Sequence, residues 1–84
     1  MSELTTDRVT RLIVDELDFP TPPGFNATTP LFKGGVEMDS FTAVELVMLI
    51  ERHFAITLAA ADIVPANFAN AAAVGRLVDT YLRR

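Results

Sequence analysis

The sequence predicts an all-α fold: a small four-helix bundle of three longer helices and one short one, with a long first loop. Two observations carry this. Apolar residues recur at helical spacing in three separate stretches, and the one strand-like alternation, Ile56-Thr57-Leu58, is short and has no partner run. Four of the five prolines and three of the four glycines fall between positions 18 and 38, concentrating the irregular backbone in one connection. The 84 residues make a single domain, 1–84, with room for one compact core but hardly for a deep pocket.

The first helix is expected over residues 3–17. Leu4, Val9, Leu12, Ile13 and Leu17 gather on one face, and Ser2 can serve as N-cap. Pro20 disfavours helical geometry in the residue before it, so the helix should stop by Phe19. The connection from 18 to 38 is too apolar to stay wet, and Phe25, Leu31 and Phe32 should tuck against the helices.

The second helix is expected over 40–54, with Asp39 as its cap. Phe41, Val44, Val47, Met48 and Phe54 are expected to line its inner face, widened by Leu46, Leu49 and Ile50. Eight alanines between Ala59 and Ala73 favour helix. They suggest a short helical turn at 60–65, stopped near Pro65, and a last helix from Ala71 to Leu82 capped by Asn70. Val74, Leu77, Val78 and Tyr81 form the inner face of that helix, Arg83 and Arg84 suit its negative end, and Gly75 marks a close helix contact.

Composition excludes several function classes. Seven basic residues against eleven acidic ones give a net charge of −4, which argues against nucleic acid and against an anionic membrane surface. The longest unbroken apolar run, Leu46 to Ile50, cannot span a bilayer, and Met1 to Arg11 has no signal-like apolar core, so a cytoplasmic protein is expected. There is no cysteine, and the single histidine, His53, has no partner set for metal binding or nucleophilic catalysis. Lys33-Gly34-Gly35 matches neither phosphate-binding glycine motif. The chain therefore reads as no enzyme. From Gly34 to Glu51, however, four carboxylates (Glu37, Asp39, Glu45, Glu51) occur with a single Lys- or Arg-free stretch between them, a pattern suited to docking basic partners.

One place stands out, Glu37-Met38-Asp39-Ser40-Phe41. Asp-Ser before an apolar run is first of all a helix cap. Ser40 also opens an apolar helix at the tip of a long loop, where a phosphodiester would meet backbone N–H groups and the positive end of the helix dipole. Asp39 is placed to help hold a metal-bound donor during such an attachment.

These residues resemble the acyl and peptidyl carrier protein family, whose hallmark is Asp-Ser-Leu at the start of the second helix. The stretch from Pro30 through Asp39-Ser40-Phe41 to Val47 is similar to the family's loop-to-helix signature. Glu51-Arg52-His53-Phe54 is similar to its Glu-x-x-Phe ending, and Asp62-Ile63-Val64-Pro65 with Asn67-Phe68 to its short third helix. The resemblance implies that Ser40 carries 4′-phosphopantetheine, attached from coenzyme A by a phosphopantetheinyl transferase that recognises Asp39. The thiol of that group would hold acyl or aminoacyl cargo as a thioester. A loading enzyme (acyltransferase or adenylating ligase) and a downstream synthase or transferase would be the other partners, in fatty-acid, polyketide or nonribosomal peptide synthesis.

Family members are read by partners through the second helix and the loop before it. The resemblance thus makes Glu37, Phe41, Thr42, Val44, Glu45, Met48 and Glu51 the partner contacts, although Val44 and Met48 read equally well as core positions. Two departures bear on this. Phe41 stands where the family has leucine, and the chain is less acidic than many fatty-acid carriers, which favours a dedicated carrier in specialised metabolism. The bundle should open slightly between its second and third helices to admit an acyl chain. A monomer is expected, since one small bundle needs no partner to close its core. The reading from another class is a docking module that keeps the fold but binds partners without the cofactor.

Overall fold

The computed structural model describes residues 2–83, with side chains from Leu4 onward; the roles expected of Ser2 and Arg84 lie outside the described side chains. Helix α1 spans Ser2–Asp15, α2 Ser40–Phe54 and α3 Ala71–Leu82. The fourth element is two 3₁₀ turns, Ala60–Asp62 and Pro65–Phe68, where one short helix was expected to stop near Pro65. Proline has no N–H to lose and a φ preset for helix, so Pro65 opens the second turn instead of ending the first. No strand occurs among the described residues, and none of their helices is long and apolar enough to cross a membrane.

Helix α1 ends two residues earlier than its spacing suggests, with the N–H groups of Glu16 and Leu17 both donating to Leu12 O. Its buried face is Val9, Leu12 and Ile13, followed by Leu17. Leu4, expected on that face, is 59% exposed. Steps of about 100° per residue put Thr5, not Leu4, in line with Val9, Leu12 and Ile13. Thr5 is buried, and its hydroxyl donates to Asp79 Oδ1 at 2.6 Å on α3.

Helices α1 and α3 form the closest pair in the bundle, and they run antiparallel, with Thr5 against Asp79 and Thr6 against Gly75. A Cβ on Gly75 would lie 3.0 Å from Thr6 Cα and closer still to the Thr6 hydroxyl. The close helix contact expected at Gly75 is therefore present, and glycine is what allows it. Asn70 caps α3 by accepting from the Ala73 N–H at 2.8 Å, and Val74, Leu77 and Val78 are buried as expected.

Helix α2 stands further off, and side chains fill the space between it and the other two. Leu46 and Ile50 are fully buried among Ile13, Leu31, Val74 and Val78. The inner face expected for α2 is corrected by the structure. Phe41 is 81%, Val44 58% and Met48 62% exposed, whereas Thr42, Leu46, Leu49, Ile50 and Phe54 face inward. The helix is apolar almost all round, so spacing alone offers two inner faces. The smaller, better-closed one won: Thr42, Leu46 and Leu49 lie at i, i+4 and i+7.

Candidate functional site

Ser40 is exposed and is the first residue of α2. The residue before it, Asp39, is extended (φ −88°, ψ 176°), and its Oδ1 accepts from the Thr42 N–H at 2.7 Å. Its own carbonyl accepts from Ala43 N–H at 3.0 Å. The expected cap is thus present, and the helix N–H groups of Ser40 and Phe41 are left without partners inside the helix.

The Thr42 N–H, and then the Thr42 hydroxyl, hold the Asp39 carboxyl below the ordinary carboxylate value. The folded pKa is therefore the lower one. The cap's contribution is complete above the ordinary aspartate value and is lost as pH falls through the folded one. In a carboxyl NMR titration of the folded chain, Asp39 should show a midpoint below that of an unstructured aspartate. A midpoint at or above it would contradict the cap.

What holds Ser40 in place is the end of the long loop. Leu31 is fully buried, its N–H donates to Ala69 O at 2.9 Å, and its carbonyl accepts from Met38 N–H at 3.0 Å. The Val36 N–H donates to Pro30 O and the Glu37 N–H to Phe32 O, both at 2.9 Å. Inside this ring a Cβ on Gly35 would run into the Pro30 carbonyl, so the ring closes only around glycine. Val36 and Met38 are buried beneath it. Leu31, Phe25 and Phe32 pack against the core, as the loop's composition implied.

Helix geometry sets Ser40, Ala43, Val44 and Val47 on one side of α2, at i, i+3, i+4 and i+7. Ala43, Val44 and Val47 form one wall of an apolar groove of about 340 Å³, and Ser40 lies at the end of that wall. Phe32, Ile63, Val64, Pro65 and Phe68 form the rest. The opposite wall is braced from α3. The Tyr81 hydroxyl donates to Asp62 Oδ2 and accepts from Ala59 N–H at 2.8 Å, while Asn67 Nδ2 donates to Asp62 O at 2.8 Å. A second depression, of about 400 Å³, on the other side of Val44 is lined by Phe41, Glu45, Met48, Leu49, Arg52 and Asp18.

The residues expected to meet partners divide in the structure. Glu37, Phe41, Val44 and Met48 are exposed, and Glu45 is half-buried. Thr42 is 4% exposed and belongs to the inner face, so its side chain is not available to a partner. Glu51 is half-buried, and its Oε2 accepts from the Leu58 N–H at 2.8 Å, tying down the turn after α2. Ile63 and Val64 were read only as part of a short helix, yet at 42% and 39% exposed they form a rim of the groove. Their clue was two β-branched residues directly before Pro65, a poor fit to helix. Among the described residues no group of three or more acidic or histidine side chains could hold a metal ion.

A family model described as the phosphopantetheine attachment site matches residues 7–78. No curated protein matches the sequence significantly. An all-helical chain that this model covers from α1 to α3 belongs to the phosphopantetheine-binding family of acyl and peptidyl carrier proteins, whose members hold 4′-phosphopantetheine covalently.

Proposed function

We propose that Ser40 is the residue to which 4′-phosphopantetheine is joined, and that the chain presents acyl or aminoacyl thioesters to partner enzymes without doing chemistry itself. The observation that carries this reading is the place of Ser40: exposed, first in α2, and at the end of the wall of an apolar groove. The residues there fit the group. A phosphodiester on Ser40 lies at the positive end of the α2 dipole, beside the N–H groups of Ser40 and Phe41. Asp39 keeps its charge on the Thr42 N–H while flanking the serine for transferase recognition. The attached group supplies a terminal thiol on a flexible arm, where cargo is held as a thioester.

The groove supports acyl cargo over aminoacyl cargo, because its lining side chains are all apolar and a charged ammonium would lose hydration there without gaining a partner. Partners in this reading are a phosphopantetheinyl transferase, a loading acyltransferase or adenylating ligase, and a downstream synthase or transferase. A dedicated pathway of the polyketide, nonribosomal peptide or fatty-acid type, in specialised metabolism, is the setting we favour. The exposed Phe41, Val44 and Met48, with Glu37 and Glu45, are the contacts we assign to partners.

Intact-mass measurement after incubation with coenzyme A, magnesium and a broad-specificity phosphopantetheinyl transferase tests this. The parent should gain one phosphopantetheinyl group, and Ser40→Ala none. A folded parent that gains none, in a chain whose Ser40→Ala form still binds its partners, would replace this reading with that of a cofactor-free docking module.

A further inference from the structure

The two connections that contribute to the groove are held in different ways. The first loop supplies Phe32, and Leu31, Val36 and Met38 anchor it in the core on both sides of that residue. The second connection supplies Ile63, Val64 and Pro65. Leu58 and Phe68 are buried at its two ends, and no residue between them is buried. No buried apolar side chain therefore fastens this wall along 59–67, the situation in which a segment opens locally at little cost.

Polar bonds hold it instead. The Asp62 N–H donates to Ala59 O at 2.9 Å and the Ile63 N–H to Ala60 O at 3.1 Å, which shapes the first turn without tying it to a helix. Asn67 Nδ2, donating to Asp62 O at 2.8 Å, joins the second turn to the first. The tie to a helix comes from Tyr81 of α3. Its hydroxyl donates to Asp62 Oδ2 and accepts from the Ala59 N–H, so one side chain grips both ends of the turn that leads into Ile63 and Val64. A hydroxyl on a carboxylate is a strong bond of its kind, yet it fastens the wall through one oxygen. The Tyr81 side chain is half-buried and does not line the groove.

We propose that Tyr81 is the clasp of the groove, a positioning residue that acts through Asp62. Its hydroxyl holds the 59–67 segment against the bundle, and its release lets Ile63 and Val64 swing out on the buried ends at Leu58 and Phe68. The proposal rests on Ser40 carrying the cargo and on the groove receiving it. An acyl chain that buries apolar surface against Ile63 and Val64 favours the clasped state. By linkage, the clasp favours an acyl chain that lies inside. Strength at this one bond therefore sets how long cargo stays sheltered.

The test uses the parent, Tyr81→Phe, which removes the hydroxyl and keeps the ring, Asp62→Ala, which leaves the Asn67 bond to the backbone in place, and the double variant. Each is loaded from acetyl- or octanoyl-coenzyme A with magnesium and the transferase that loads the parent, and thioester cleavage by hydroxylamine is timed. In the parent the octanoyl form should be cleaved more slowly than the acetyl form. Either single variant should shrink that ratio about 3-fold or more with the acetyl rate unchanged. The double variant should match the single ones, since all three lose the same bond. In the unloaded Tyr81→Phe chain, backbone order parameters at Ile63 and Val64 should fall from about 0.85 to below about 0.6, with Val44 and Val47 on the α2 wall unmoved. An unchanged ratio in Tyr81→Phe would overturn the proposal. So would losses that add in the double variant, or order parameters at 63 and 64 equal to the parent's. A parent that protects octanoyl no better than acetyl overturns the groove as the cargo site, and the clasp with it. A parent whose intact mass does not rise on loading overturns the attachment reading itself.

Discussion

Replacing Leu31 with alanine is expected to cost about 2–5 kcal/mol of stability, the range for deleting a fully buried leucine side chain. In a domain this small that is a fall in melting temperature of about 10 °C or more. The side chain is only part of the reason. Leu31 uses both its backbone groups, on Ala69 and on Met38, to fasten the loop to the region between the second 3₁₀ turn and α3. With the side chain gone, the ring that leads into Asp39 and Ser40 loses its anchor. Loading of Ser40 should therefore slow together with the loss of stability. Urea unfolding and amide hydrogen exchange at Met38 measure the two effects. A melting temperature within about 3 °C of the parent's would mean that the loop is held elsewhere.

The second large effect concerns cargo. On the loaded chain, an eight-carbon saturated acyl group should stabilise the fold over an acetyl group by up to about 5 kcal/mol, since each buried methylene contributes about 0.8 kcal/mol. The groove beside Ser40 offers apolar contact along Ala43, Val44, Val47 and Phe68 and no charged side chain to meet an ammonium. Melting temperatures of acetyl, butyryl and octanoyl forms should climb with length, while an aminoacyl form should stay near the acetyl one. A flat series would mean that the cargo lies outside the groove, and that Ile63 and Val64 serve partners instead.

Helix α2 was legible to the residue, Ser40 to Phe54, because the Asp39 cap and the closing Glu-Arg-His-Phe both mark its ends. Helix α3, Ala71 to Leu82, was equally plain from Asn70 and the alanines. The side on which α2 faces the core was not. Phe41, Val44 and Met48 carry as much apolar surface as Leu46, Leu49 and Ile50, and period alone ranks neither set first. Only the neighbours decide, and Leu31, Ile13 and Val74 lie far away in sequence. The same limit hid the groove, whose walls come from the loop, from α2 and from the turns at 63–68. Ser40 and Asp39 were legible because a cap is a local motif. The left-handed backbone at Glu37 (φ 59°), which closes the loop ring through its N–H to Phe32 O, was not, since a backbone angle leaves no mark on composition.

The contact between Thr5 and Asp79 joins residues 74 apart in sequence, and α1 packs on α3 along the same seam. Closing a loop of that length costs an unfolded chain on the order of 4 kcal/mol in entropy beyond the closure constant. The α2 region and its flanking loop join residues far nearer in sequence, from Leu31 to Phe68. Folding should therefore organise the Ser40 half early and bring the two outer helices together late, more slowly than a bundle of sequential neighbours would. Once formed, that seam is a kinetic latch: substitutions within it should speed unfolding far more than they slow folding.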